Sequence, residues 1–129
     1  VLKEGNEEIT VPAFTAVWLD EMDFEKTDVD NTYLSYEFIV YGNCVSEGTV
    51  LFTAPKYFNF ADPKLRFERR GDEITVYADA YAKSVEIDSP DSDFILSDNY
   101  FDLNGGCKTV KILEGTPGTI RLRSVYDIR

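Results

Sequence analysis

The segment Glu73-Ile74-Thr75-Val76-Tyr77-Ala78-Asp79-Ala80 decides the fold, because its apolar residues recur at every second position. In an extended chain the members of such a set lie on one face, and they are expected to point into a core. They are Ile74, Val76, Ala78 and Ala80. The other face of the segment is more polar, so the pattern predicts a half-buried antiparallel strand.

The same alternation continues outward from this strand in both directions. It recurs in Leu34, Tyr36, Phe38 and Val40, in Val110 and Ile112, and in Ile120 and Leu122. Residues that favour turns separate these runs: Tyr41-Gly42-Asn43, Arg70-Gly71-Asp72, Asn104-Gly105-Gly106 and Gly115-Thr116-Pro117-Gly118. Short strands at roughly 8 to 12 residue spacing are typical of an immunoglobulin-like β-sandwich, so we expect an antiparallel, all-β fold of this type. Phe24–Asn31 is expected to form a loop or a 3₁₀ turn.

The chain is expected to divide at Phe60-Ala61-Asp62-Pro63, where the proline interrupts an apolar run. We predict a partial immunoglobulin-like module over residues 1–60 and a complete sandwich over 61–129. The pattern predicts about four strands in the first stretch and about six in the second. Four strands form a single sheet whose apolar face needs cover, so residues 1–60 are expected to belong to a larger unit. An exposed sheet edge there would allow a homodimer to form by strand pairing.

Composition excludes several classes of function. The 13 Lys and Arg residues face 24 Asp and Glu residues, a formal net charge of -11, so a nucleic-acid partner is not expected. The absence of histidine excludes imidazole bases and histidine-ligated zinc. Apolar runs are shorter than the roughly 18 residues of a membrane helix, so we expect a soluble chain with no membrane partner. The 129 residues are too few for a (β/α)8 barrel, which takes about 250.

No cofactor or metal is predicted. Cys44 and Cys107 lie outside any Cys-x-x-Cys spacing and are expected to be two free thiols. The acidic loop Asp88–Asp93 could offer oxygen ligands to calcium, but it lacks the EF-hand pattern and is better explained as a solvated turn. The same holds for Asp28–Asn31.

Two aromatic motifs have both a structural and a functional interpretation. Trp18, the single tryptophan, is a candidate sugar contact, although a ring in an alternating segment is more often buried in a sheet, which is our expectation. The run Asp98, Asn99, Tyr100, Phe101, Asp102 is interpreted as structural. Asp98 and Asn99 would bond backbone donors at a bend, and Tyr100 or Phe101 would fill the sandwich. We therefore expect the first effect of Asp98→Ala to be a loss of stability.

The basic residues concentrate at five arginines: Arg66, Arg69, Arg70, Arg121 and Arg123. They could form a docking patch for the acidic first module or for another domain. Ordinary cross-strand pairs with Glu68, Glu73 and Glu86 explain them equally well, and each exposed pair would contribute little.

Four segments, in this order, carry a resemblance to a known family: Phe52–Tyr57 with Ala61–Pro63, then Asp79–Lys83, Ser97–Leu103 and Leu122–Asp127. They resemble the C-terminal end of β-mannosidases of glycoside hydrolase family 2. In that family a catalytic barrel precedes two immunoglobulin-like domains. The resemblance implies that residues 1–60 are the later strands of the penultimate domain and that 61–129 are the last domain.

The resemblance also implies a role without catalysis. The family's two catalytic glutamates lie on the barrel, and no position here corresponds to them. We therefore expect no catalytic residues in this chain and a partner in cis, the barrel of the parent enzyme. One alternative is a carbohydrate-binding module that uses exposed aromatics. Another is a cell-surface adhesion domain, which is less favoured because the chain has no Asn-x-Ser/Thr acceptor.

Overall fold

The structure, a computed structural model, describes residues 1–24 and 26–128 and shows an all-β immunoglobulin-like fold. Its strands form an antiparallel hairpin and a five-stranded antiparallel sheet with the order β3-β4-β6-β5, in which β7 also pairs with β4. The strands are β1 (Tyr33–Val40), β2 (Asn43–Leu51), β3 (Arg66–Arg70), β4 (Glu73–Asp88), β5 (Phe94–Leu96), β6 (Phe101–Gly115) and β7 (Arg121–Arg123). A single helical turn, α1 (Val125–Ile128), follows β7.

The core is built mainly from side chains of the long paired strands β4 and β6. Ile74, Val76 and Val110 are at most 1% exposed, as the alternation predicts. Partly buried side chains from the other strands and loops pack against them: Leu65, Phe94, Leu96, Ile112, Ile120 and Leu122. The alternation of buried residues along β4 therefore builds one continuous hydrophobic core in residues 65–122.

A bulge in β4 changes which residues face this core. Ala78 and Ala82 are buried at even positions, but beyond the register shift between Ala82 and Val85 the buried residues are Val85 and Ile87. Ser84, with φ 52°, lies in the interval. A β-bulge adds one residue to a strand, so it moves the apolar set from even to odd numbers.

The hairpin confirms one predicted strand and its turn, but Tyr36, Phe38 and Val40 on the predicted core face of that strand are 36–50% exposed. β1 spans the run from Leu34 to Val40, and it pairs with β2 from Tyr33↔Leu51 to Val40↔Asn43. The connection uses Tyr41 and Gly42, both with positive φ. Such two-residue turns match the twist of an antiparallel hairpin.

Three predictions about elements are wrong. The described part of residues 1–60 contains two strands, not about four, and residues 61–128 contain five strands, not about six. Asn104-Gly105-Gly106 is not a turn between strands, because β6 runs through it with a register shift opposite β4. Gly105 and Gly106 do have positive φ, but they bend a continuous strand and do not reverse the chain.

Residues 24 and 26–31 form turns, as expected. Thr27 N–H donates to the Phe24 carbonyl at 2.9 Å and Asn31 N–H to the Asp28 carbonyl at 3.2 Å. Residue 25 of the predicted loop lies outside the described residues. The turns join the N-terminal stretch to β1, and the Asp30 carbonyl accepts a hydrogen bond from Asn59 N–H at 2.8 Å.

Candidate functional site: the junction between the hairpin and the five-stranded sheet

Aromatic rings join the hairpin to the larger sheet. Tyr33, the first residue of β1, stacks on Tyr81 of β4 with ring centroids 3.9 Å apart and planes 12° apart. Phe58 and Phe60, from the connection between β2 and β3, are 5% and 6% exposed, and Phe60 lies 5.8 Å from Tyr81. Aromatic pairs at these spacings contribute beyond the area they bury, so this cluster fixes the hairpin on the sheet.

A polar network crosses the same junction beside the rings. Thr49 of β2 donates its hydroxyl proton to the Asp102 carboxylate on β6. Because that hydroxyl has only one proton, it accepts the hydrogen bond from the Tyr81 hydroxyl, 2.7 Å away. Asp102 also accepts from Lys83 Nζ at 3.1 Å and from Ser84 N–H at 2.8 Å. One carboxylate therefore holds both the β4 bulge and the hairpin.

The rim of the junction is polar. The Tyr33 hydroxyl donates to Asn104 Oδ1, and Asn104 Nδ2 donates to Ser35 Oγ at 3.2 Å. Lys108 Nζ lies 3.8 Å from Glu47 of the hairpin and 2.8 Å from Asp98. These contacts surround the aromatic cluster and set the orientation of β2 against β6.

Burial at the junction changes the acidity of its two tyrosines. Desolvation raises the pKa of Tyr81 to about 12, and the neighbouring Asp102 charge acts in the same direction. Burial also raises the pKa of Tyr33. Both phenols therefore stay protonated at neutral pH and serve as neutral hydrogen-bonding groups.

Trp18 is not buried, and that prediction is wrong. Its side chain is 95% exposed, and the nearby Phe14 is fully exposed. The reason is that the described residues before Tyr33 form no strand, so the ring has no sheet face against which to pack. The structure does not bring Trp18 to the junction.

The residues from Asp98 to Asp102 make different kinds of contact. Asn99 bonds the backbone: its Oδ1 accepts from Ile87 N–H at 2.9 Å and its Nδ2 donates to the Ile87 carbonyl at 3.0 Å. Asp98 instead pairs with Lys108. Phe101, 6% exposed, fills the core, whereas Tyr100 is 62% exposed and donates to Glu86 at 2.7 Å.

The five arginines do not form one patch. Arg66, Arg69 and Arg70 lie on β3, whereas Arg121 and Arg123 lie on β7, and these strands pair with opposite ends of β4. Most of them bind carboxylates: Arg66 pairs with Asp79, Arg70 with Glu68, Arg121 with Asp88 and Arg123 with Glu86. Arg69 donates to the Pro117 and Gly71 carbonyls. The arrangement is that of local pairs.

In the acidic loop, Asp91 binds the neighbouring loop that contains Thr119. Its carboxylate accepts from Ser89 Oγ at 2.6 Å and from Thr119 N–H at 3.0 Å. These hydrogen bonds keep the pKa of Asp91 below its usual value. Among residues 1–24 and 26–128, no group of three or more acidic or cysteine side chains is arranged to hold a metal ion, and Cys44 and Cys107 are free and exposed.

Most of the junction does not stand out in the sequence. Asp102 belongs to a run that the sequence marks as structural, but nothing local groups it with its partners Thr49, Lys83 and Tyr81. The density of aromatic residues in Tyr57-Phe58-Asn59-Phe60 is the available signal, since four residues with three rings are unusual in a connection. The strand on which these rings pack depends on contacts between residues that are about 20 to 70 positions apart in the sequence.

Two family models match the chain. A family model described as an Ig-fold domain of mannosidases matches residues 60–128, and one described as a mannosidase Ig/CBM-like domain matches residues 1–57. No curated protein matches the chain. In the part of the chain that the structure describes, no helix has the length and apolar character needed to cross a membrane. The chain therefore belongs to the Ig-fold domain family of mannosidases, as an accessory Ig-like region of such an enzyme.

Proposed function

We propose that this chain is the non-catalytic C-terminal accessory region of a β-mannosidase of glycoside hydrolase family 2. Its role is to form a fixed wall that supports the catalytic barrel of the same polypeptide. The two matched families stand in the order that the resemblance of the four segments implies. The barrel would supply both catalytic carboxylates, and the parent enzyme would cleave terminal β-mannosides.

The observation that carries the proposal is the junction itself. Tyr33, Thr49, Tyr81 and Asp102 join the two sheets through stacked rings and a shared carboxylate. Such a contact uses its polar groups to fix one element against another. This is what a supporting wall requires, because a rigid neighbour holds catalytic groups in position.

Three carboxyl groups with a shifted pKa take part in structural contacts. The described carboxyl groups with shifted pKa values are Asp79, Glu86 and Asp91, and all three are shifted downward. Arg66 causes the shift at Asp79, Arg123 that at Glu86, and hydroxyl donors that at Asp91.

The first test is an assay of the isolated chain on 4-nitrophenyl β-mannoside. We expect no release of nitrophenol above the rate without protein. Turnover that rises in proportion to the concentration of pure chain would overturn the proposal. A homogeneous sample by light scattering, with β-type far-ultraviolet circular dichroism, shows that a negative result comes from folded protein.

The second test uses the full enzyme that contains this chain. Asp102→Ala is expected to lower the midpoint of thermal inactivation while leaving KM for the nitrophenyl substrate unchanged at low temperature. Leu113→Ala, at a site that is 64% exposed, is the control and should change neither quantity. A change in KM without loss of stability would place the junction in substrate binding and contradict the supporting role.

A second function, sugar binding, is favoured by one observation. Trp18 and Phe14 are both exposed to solvent and lie four residues apart, and an exposed indole is the usual platform for a pyranose ring. Because Trp18 is the single tryptophan, its fluorescence reports on one site. A saturable change on titration with mannan oligosaccharides, lost in Phe14→Ala, would support a carbohydrate-binding module. A titration without any change would contradict sugar binding, and the supporting role would remain as the proposed function.

A further inference from the structure

A cavity of about 240 Å³ lies between the end of β4, the loop Ser89–Asp93 and the connection from β5 to β6. We call it the Tyr100 cavity, because Tyr100 lines it. Ile87, Phe94 and Leu96 give it an apolar lining, and its other lining residues carry carboxylate, hydroxyl or amide groups. Sites for drug-sized molecules occupy roughly 300–1,000 Å³, so this cavity suits one small ring and not an extended chain.

Tyr100 is exposed although it is a large aromatic residue. Its side chain is 62% exposed, whereas the adjacent Phe101 is 6% exposed. Its φ of 62° is unusual for a bulky residue, and such a conformation persists where the surrounding structure holds it. The phenol donates to Glu86 at 2.7 Å, and Asn99 is bound to the backbone of Ile87. The ring is therefore fixed beside the cavity and takes no part in the core.

Three carboxylates line the cavity: Glu86, Asp88 and Asp93. Arg123 binds Glu86 and lowers the pKa of that carboxyl, and Arg121 binds Asp88 at 2.7 Å. Asp93 is exposed, and within the described part of the chain its carboxylate has no hydrogen bond or ion pair. Ionised carboxylates only accept hydrogen bonds, so the cavity offers acceptors to a ligand that carries hydroxyl donors.

The loop that forms one wall of the cavity is held by the loop next to it. Asp91 accepts from Thr119 N–H at 3.0 Å, and Ser92 Oγ accepts from Gly118 N–H at 2.8 Å. Ser89 Oγ donates to Asp91 at 2.6 Å. The two loops fit closely, because a Cβ added at Gly118 would lie 2.5 Å from Asp91 Oδ1. A wall that is fixed before binding loses little conformational freedom when a ligand enters.

A pyranose ring matches these features, because it has a face of C–H groups and a rim of hydroxyl donors. We propose that the Tyr100 cavity binds one neutral pyranose unit, with the C–H face of the sugar against the Tyr100 ring and its hydroxyls donating to Asp93 and Asp88. An acidic sugar or a sugar phosphate is disfavoured, since the lining carboxylates and the net charge of -11 repel anions. The cavity shares no lining residue with the junction or with the segment around Trp18, so this site is separate from both.

Nuclear magnetic resonance of the full chain tests the site. The probe is methyl β-mannoside, which is added to isotope-labelled protein while the backbone amide shifts are followed. We expect saturable shifts at the residues that line the cavity, with a Kd of about millimolar, as befits a ligand of this size. These residues are Ser89, Ser92, Asp93, Asn99 and Tyr100. Glycerol has hydroxyl groups but no ring face, so it is the control ligand and should cause no saturable shift.

Three results of this titration would overturn the proposal. The first is the absence of saturable shifts at sugar concentrations well above millimolar. The second is a set of shifts confined to Phe14 and Trp18 and their neighbours, which would assign sugar binding to that segment. The third is saturation of the same amides by glycerol with equal affinity, which would show that the ring face makes no contribution.

Tyr100→Gly removes the ring without endangering the fold, because glycine adopts a φ of 62° without strain. We expect the affinity for methyl β-mannoside to fall by about tenfold or more, while circular dichroism and the thermal midpoint show a folded chain. Tyr57→Ala is the matched control, since Tyr57 is 60% exposed and does not line the cavity. Unchanged affinity in Tyr100→Gly, or an equal loss in Tyr57→Ala, would contradict the proposal.

Asp93→Asn tests the proposed hydroxyl contact. The substitution keeps the shape of the side chain and removes its charge, so it should weaken binding several-fold, because hydrogen bonds to an ionised acceptor are stronger than neutral ones. Unchanged affinity in Asp93→Asn would contradict the proposed contact between Asp93 and the sugar.

Discussion

At the scale of single residues, a few side chains connect parts of the molecule that are distant in sequence. Asp102 binds Thr49, Lys83 and Ser84, which come from the hairpin and from the bulge in β4. Asn99 uses its amide to join the connection between β5 and β6 to the end of β4, through the backbone of Ile87. Polar groups that are partly buried and fully bonded in this way specify one arrangement, since any other arrangement leaves them unpaired.

Tyr81 predicts a loss of stability at high pH. Its phenol has a pKa of 10.0 in the unfolded chain and of about 12 in the folded one, so the folded state holds the proton more tightly. The stabilisation is complete below pH 10 and disappears as pH rises from 10 to about 12. Urea unfolding at pH 9 and at pH 11.5 measures it. Tyr81→Phe should lose less stability over this interval, although Tyr33 keeps part of the effect. An equal loss in the variant would show that Tyr81 is not responsible.

Asn99 and Asp98 are neighbours with different expected contributions. Asn99→Ala leaves the Ile87 N–H and carbonyl without their partner and should reduce the free energy of unfolding by about 1–3 kcal/mol. Asp98→Ala removes an exposed ion pair with Lys108 and should cost less than about 1 kcal/mol. Asp98→Ala should therefore reduce stability, but by less than Asn99→Ala. Urea unfolding of both variants at pH 7 measures the two losses, and a larger loss for Asp98→Ala would contradict this order.

At the scale of elements, β4 and β6 owe their shape to irregularities. Their register shifts between Ala78 and Tyr81 and again between Ala82 and Val85, although both strands are continuous. Gly105 and Gly106 lie in β6 opposite the first shift, and Ser84 lies in β4 at the second. The irregularities of this strand pair therefore lie at residues outside the hydrophobic alternation.

Substitutions at two glycines in β6 measure how far stability depends on their backbone conformation. Gly106→Ala places a Cβ in open space at φ 76°, so it should cost roughly 1–2 kcal/mol for the backbone conformation alone. Gly115→Ala meets the Asp93 carbonyl oxygen at 2.5 Å in addition to its φ of 80°, so it should cost more. Denaturant unfolding of the two variants gives the comparison. A larger loss for Gly106→Ala would mean that the bend has contacts beyond its backbone geometry.

At the scale of the whole molecule, the junction decides whether the hairpin and the five-stranded sheet behave as one body. The hairpin alone has two strands, too few for stability in water, so it depends on its contacts with β4 and β6. Hydrogen exchange should therefore show the amides of β1 opening before those of β4, because the core of the larger sheet is independent of the hairpin.

Asp102→Ala tests this dependence. It leaves the Lys83 ammonium, whose side chain is 23% exposed, without its partner, and it should reduce stability by about 3 kcal/mol. Exchange in β1 and β2 should accelerate most. Glu47→Ala, which removes only the rim contact with Lys108 at 3.8 Å, is the control and should have little effect. Unchanged exchange in β1 and β2 of Asp102→Ala would show that the aromatic stack holds the hairpin alone.

The sequence by itself determined the fold class, the strand at Ile74–Ala78 and the β1–β2 turn, because period-2 alternation and turn residues are local signals, and the resemblance of four ordered segments indicated the family. The acidic charge and the lack of histidine also limit the chemistry that this chain can perform. The tertiary structure alone decided the exposure of Trp18, the continuity of β6 through Gly105 and Gly106, and the meeting of Tyr33 and Thr49 with Tyr81 and Asp102. These depend on which strands pair over distances of tens of residues. Strand pairing depends on all the apolar faces of the chain together, so it cannot be read from any one segment of the sequence.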